Sequence, residues 1–141
     1  MLNLNKNVEI RVAKAHQTSS TADFDSGYVD MQGRETVRFI VSFVTGHASN
    51  RYVSVSMADT TTGSGVVTVI GSKVLATTAK PTVVIEIIRP RQRYVKAVVV
   101  RGTAVAVGPV LVELAGPAKA PVTVHSAVNM EMHLSPSSGA N

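Results

Sequence analysis

The sequence predicts an all-β fold, an antiparallel β-sandwich. A jelly roll of about eight strands is its first form and an immunoglobulin-like sandwich the nearest competitor. Three observations predict it. Val and Thr together supply about a quarter of the chain, and branching at Cβ stiffens both in favour of pleated strands. Short alternating runs recur at intervals of roughly 8 to 12 residues, with Gly, Pro, Ser and Asn between them. No segment of ten or more residues carries a convincing 3.6-residue period.

The elements follow in order. Val8 to Ala13 (VEIRVA) alternates, with Val8, Ile10 and Val12 on one face. Thr18 to Ser26 is small and polar and reads as a loop. Thr36 to Thr45 (TVRFIVSFVT) is the clearest strand: Val37, Phe39, Val41 and Phe43 share one face, and Arg38, Ile40, Ser42 and Val44 the other. Arg51 to Met57 (RYVSVSM) turns Val53 and Val55 inward and Ser54 and Ser56 outward. Thr60 to Gly65 (TTTGSG) is turn chemistry. Val66 to Ile70 and Ser72 to Thr77 flank Gly71, which marks a bulge or tight turn between two short strands.

Thr82 to Ile88 (TVVIEII) is an almost unbroken apolar run, as a buried strand would be, and Pro90, Arg91 and Gln92 connect it to Tyr94 to Arg101 (YVKAVVVR). Val105 to Leu114 is interrupted by Gly108-Pro109 and closed by Gly116-Pro117, and Val122 to Val128 (VTVHSAV) is expected as the last strand. Residues 1–141 read as one sandwich domain without internal repeat, with flexible or partner-docked arms at 1–7 and 135–141.

Composition excludes several function classes. A length of 141 residues suits one domain with a real core. Charged residues make up 16%, against about 25% in an average domain. Aromatics are 4%, without Trp, and there is no Cys, so neither a disulfide framework nor a thiolate site is available. The first residues lack the apolar core of a signal peptide. No run approaches the roughly 20 apolar residues that span a bilayer. The expectation is a soluble protein made and used inside a cell, with no membrane partner. The net charge of +5 and pI near 9.9 permit an acidic partner without requiring one.

Catalytic patterns are missing too. His16, His47, His125 and His133 stand in no HxH or HExxH spacing, so no metal is expected. No serine lies in a GxSxG elbow. Asp23, Asp25, Asp30 and Asp59 fall in expected loops, and the aromatic platforms that would accompany a glycosidase carboxylate pair are nearly absent. Thr62-Gly63-Ser64-Gly65 has no following Lys or helix and is no phosphate loop. The expectation is a protein that is not an enzyme and holds no cofactor.

Two stretches stand out. Arg89 to Gly102 reads RPRQRYVKAVVVRG, with arginines at both ends of an apolar run. Three readings stay open: charged ends that keep a core strand's termini in water, a phosphate-gripping patch, or a protein interface in which Arg makes bidentate contacts to carboxylates. Direct nucleic-acid contact is disfavoured, because the arginines gather at strand ends and Tyr94 alone could stack. The second stretch, Gly27 to Glu35 (GYVDMQGRE), mixes Tyr28, Asp30, Met31 and Arg34 as an interface loop would. Together with Arg89, Arg91, Arg93 and Tyr94 these are the candidate interface residues. There is no candidate catalytic, metal or cofactor residue.

The two stretches together, "VDMQG" ahead of TVRFIVSFVT and "RPxxRYxKAVVxR" after TVVIEII, resemble small head proteins of tailed phages and prophages, above all the jelly-roll capsid cement (decoration) proteins. The resemblance spans Val8 to Pro136, with specificity in the two motifs. It implies a structural virion protein on the outside of an icosahedral head. Such a protein contacts the major capsid protein, associates with itself as a dimer or trimer, and is made in the host cytoplasm. A head-completion, connector or tail protein is the alternative, and a nucleic-acid-binding β-barrel a lower one.

Overall fold

The computed structural model describes residues 7–44, 50–69, 71–116 and 128. Twelve strands run in chain order: β1 (Val8–Lys14), β2 (Gln17–Ser20), β3 (Phe24–Asp25), β4 (Val29–Asp30), β5 (Thr36–Ser42), β6 (Tyr52–Ala58), β7 (Val67–Thr68), β8 (Val74–Leu75), β9 (Thr82–Ile88), β10 (Tyr94–Val100), β11 (Val105–Val107) and β12 (Val110–Ala115). One sheet has the order β1-β12-β5-β9. The other has the order β3-β10-β6-β7, with β4 also on β10 and β8 also on β6. Strand β11 pairs with β2, and every named pair is antiparallel.

The short pieces are segments of longer strand positions. Strand β1 pairs with β12 from Val8↔Ala115 to Lys14↔Val110, and the ladder resumes as Gln17↔Val107 and Ser20↔Val105. The break falls at Gly108-Pro109, where proline has no N–H to give a ladder. With β1 and β2 taken as one position, and likewise β3 with β4, β7 with β8, and β11 with β12, the sheets read first, eighth, third, sixth and second, seventh, fourth, fifth.

The core lies between the sheets, and period-2 alternation builds it. Val37, Phe39 and Val41 of β5, Val112 and Leu114 of β12, and Val83 and Ile85 of β9 form one buried cluster with Val53 and Val55 of β6 and Val95, Ala97 and Val99 of β10. The inward face expected for Thr36–Thr45 is the inward face found, up to Phe43.

Three local expectations are corrected. The loop expected over Thr18–Ser26 contains the end of β2 and all of β3. Thr18, Ser19 and Thr21 face water, while the segment is held from the protein side: Arg101 Nη1 donates to the carbonyls of Thr18 and Ser20, and the buried Ser26 Oγ accepts the Ala97 N–H. The two short strands expected around Gly71 are found as β7 and β8, with Gly71 in a turn at φ 78°. Each pairs with β6, as Met57↔Val67 and Val53↔Val74, and Ser72 Oγ accepts the Val55 N–H in the gap between them. Ser56, expected to face out, is buried opposite Thr68. Thr82–Ile88 is buried on one face only, because its sheet packs that face on the other sheet and turns Val84 and Ile88 outward. The strand expected over Val122–Val128 and the two arms lie outside the described residues, apart from Asn7 and Val128.

Candidate functional site

The two conspicuous stretches meet at one end of the sandwich. The loop after β4 crosses from the second sheet to the first, and the loop between β9 and β10 crosses back beside it. Short strand β4 pairs with the start of β10, as Asp30↔Tyr94 and Val29↔Val95. Two backbone bonds extend the join: the Met31 N–H donates to the Arg93 carbonyl at 2.8 Å, and the Arg89 N–H donates to the Glu35 carbonyl at 2.7 Å. Between the loops lies an open cleft of about 460 Å³ whose lining includes Arg34, Arg89, Arg91 and Arg93.

These four arginines differ in what they already hold. Arg93 clasps Asp30 in a fork, Nε to Oδ1 and Nη2 to Oδ2, both at 2.8 Å. That bidentate bond, with a further one from the Gln32 N–H, holds the Asp30 carboxyl down at about 2, against an ordinary value of 3.8. The same bond raises the Arg93 pKa. Arg34 Nη2 donates to Glu9, whose buried carboxylate also takes Arg11 Nε. Arg34 Nη1 is buried without a hydrogen-bond partner among the described residues. Arg89 and Arg91 have no ion pair among the described residues. Arg89 also has φ of 51°, the one non-glycine residue in the left-handed region among those described. A long side chain pays conformational energy there, so the loop is held in this shape by its surroundings.

The remaining candidates separate. Tyr28 packs its ring 4.8 Å from the Lys96 ammonium, and Lys96 bonds Asp25 at 3.0 Å. That bond raises the Lys96 pKa. Tyr94 carries the Arg93 guanidinium 5.1 Å from its ring centroid. Met31 is only 5% exposed and belongs to the core cluster, so it anchors the loop from beneath. Arg93, expected to reach a carboxylate on a neighbouring subunit, is engaged by Asp30 of its own chain. Arg34, Arg89, Arg91 and Arg93 are therefore brought together, while Tyr28 and Met31 serve mainly to pack.

Sequence reasoning missed Glu9. It stands in an alternating strand and gives no sign that its carboxylate turns under the sheet to seat Arg34. It also missed the buried arginines of the opposite end. Arg101 and Arg51 are each 3% exposed. Arg101 Nη1 donates to the carbonyls of Thr18, Ser20 and Val105, and its guanidinium lies 4.9 Å from the Phe24 ring centroid. Arg51 Nε donates to the Arg101 carbonyl. Among the described residues no three His, Cys, Asp or Glu side chains converge as metal ligands would. Of the histidines, His16 is exposed and the other three lie outside the described residues.

No protein-family model matches the chain, and no curated protein matches its sequence. Among solved structures, the PBSX exported protein XepA is similar in fold. The TM-score is 0.51 at 15% identity, over 96% of this chain and 46% of XepA. This chain thus spans about half the length of that neighbour.

Proposed function

We propose that this chain is a structural protein of a tailed-phage particle, a jelly-roll module that sits on the outside of the head and cements neighbouring major capsid subunits. Three things support the reading. The strand order, first-eighth-third-sixth over second-seventh-fourth-fifth, fits the double Greek key expected of a jelly roll. The fold is similar to that of the PBSX exported protein XepA. The observation that carries the argument is the arginine cleft. Arg93 and Arg34 are seated by Asp30 and Glu9, whereas Arg89 and Arg91 line the same opening without an ion pair among the described residues. Fork-shaped cations presented on a rigid loop suit carboxylates of another protein.

The physical logic is multivalency. One such contact at a solvent-exposed site is weak. A copy that touches two capsid subunits, or that is itself a dimer or trimer, makes the second contact intramolecular and gains avidity without a new contact type. The chemistry needs no catalytic group and no cofactor. Nucleic acid is a poorer fit for the cleft, since Tyr94 is its one neighbouring aromatic and Arg93 already covers that ring.

The test is cosedimentation of the purified protein with empty phage heads that lack it, with copy number read by gel densitometry. Saturation near one copy per major capsid subunit is the expected result. A few copies confined to a vertex or tail would move the assignment to a head-completion or tail protein. Retention on DNA that falls steeply with salt, without head binding, would move it to a nucleic-acid-binding barrel.

A further inference from the structure

The arginine cleft has an apolar extension. Strand β9 ends its sheet, and its one partner among the described residues is β5. The direction of its backbone groups follows from two bonds: the Arg89 N–H goes to the Glu35 carbonyl, and the Phe43 N–H goes to the Pro81 carbonyl. Antiparallel ladders alternate bonded and non-bonded pairs. The odd-numbered residues of β9 therefore spend their N–H and C=O groups on β5. Those of Thr82, Val84, Glu86 and Ile88 face the open side.

Among the described residues this edge is bounded and unguarded. At one end the backbone of Lys80 is taken by Thr77, and at the other the chain kinks at Arg89. Between them there is no proline and no bulge, and Glu86 is the single charge. Val84 is 51% and Ile88 68% exposed. Natural sheets blunt such edges unless something pairs with them. Two grooves, of about 310 and 370 Å³, follow the edge between β9 and the β7–β8 segment, and both include Val69 and Ile87. The second shares Arg89, Pro90 and Arg91 with the arginine cleft. Apolar trough and basic cleft are thus continuous.

We infer that this trough takes an extended segment of a partner protein as a fifth strand on β9, with apolar side chains facing Val67, Val69 and Val74 and an acidic end on Arg89 and Arg91. Backbone pairing supplies the affinity, and charge sets the register. The acidic end is fixed by complementarity: Asp30 and Glu9 are already bound, and the two uncommitted guanidinium groups stand where the edge ends. This rests on the reading of the cleft as a carboxylate site and adds to it the edge and the partner's extended conformation.

The test begins with amide hydrogen exchange of the free protein. Rapid exchange at Thr82, Val84, Glu86 and Ile88, beside slow exchange at Val83, Ile85 and Ile87, is expected. Protection of the four that ignores protein concentration would mean that this chain covers its own edge. Protection that grows with concentration would mean a second copy does. Either overturns the inference.

The probe is acetyl-Asp-Glu-Val-Thr-Val-Thr-Val-amide, titrated by amide chemical shift. Its shifts should centre on the four outward amides and the arginine loop. A counterpart with Lys-Lys in place of Asp-Glu should bind about tenfold more weakly or worse. Val84→Pro removes one outward N–H without touching the β5 ladder and should abolish the shifts along β9, with Glu86→Pro as a second variant. Absence of shifts, or shifts confined to the arginine loop and kept in Val84→Pro, overturns the inference. Head binding that survives Val84→Pro but not Arg91→Glu would sink the strand pairing and leave the proposed function standing. Failure of head binding with the peptide result intact would do the reverse.

Discussion

The stretch RPRQRYVKAVVVRG puts arginines at both ends of β10, and the two ends treat them in opposite ways. At the far end Arg101 is buried: three carbonyls take its Nη1, the Phe24 ring lies against it, and its backbone N–H donates to Asp23. It staples the β2–β3 segment to β11. At the near end Arg89 and Arg91 face an open cleft with no described carboxylate on them. The side-chain chemistry is the same. What differs is whether backbone acceptors close around the guanidinium before solvent does. An arginine enclosed by carbonyls contributes to stability, and an arginine left at a rim is available to a partner.

Substitutions sharpen this contrast. Arg101→Ala should be the most damaging, because it leaves buried carbonyls without their donor; a loss of about 3 kcal/mol is expected in urea unfolding. Glu9→Gln comes next, since it removes the charge that seats Arg34 and Arg11 beneath the cleft. A loss of about 2 kcal/mol is expected, together with weaker head binding because Arg34 loses its anchor. Arg89→Glu with Arg91→Glu should move unfolding by no more than about 0.5 kcal/mol, yet lower head binding by about tenfold or more. Equal damage from Arg101→Ala and Arg91→Glu in unfolding would break the comparison.

The smallest effect is a pH dependence. Asp30 has a folded-state pKa of about 2 against an ordinary 3.8. A depressed carboxyl pKa gives stability that is present above 3.8 and lost as pH falls through 2. The pair is about half exposed, so solvent screens most of the apparent gain. Asp30→Asn should therefore flatten a shallow slope of thermal midpoint between pH 4 and 2, and leave the midpoint at pH 7 little changed. A steep acid transition that persists in Asp30→Asn would assign it to carboxylates other than Asp30.

Much of this was legible in the residues. The alternation of TVRFIVSFV named the inward face of β5, and the Gly-Pro break at 108–109 marked the interruption between β11 and β12. The two motifs that carried the resemblance are the two loops that meet at the cleft. Other features were illegible for identifiable reasons. TVVIEII reads as a buried strand because a nearly unbroken apolar run carries no alternation, and only the layering of the two sheets turns Val84 and Ile88 outward. Met31 looked like interface and proved to be core, since both settings favour a flexible apolar side chain. The pairing of Arg93 with Asp30, 63 residues apart, has no local trace.

By itself the sequence determined the fold class, most strand positions, the inward faces and the absence of thiol chemistry. These depend on Cβ branching, period-2 burial and turn residues, all local properties of the chain. The tertiary structure alone decided which arginines are buried and which stand open, that Glu9 seats Arg34, and that β9 is an edge. Those are outcomes of long-range pairing. A charge's environment and a strand's missing neighbour are set by residues distant in sequence, and no local pattern records them.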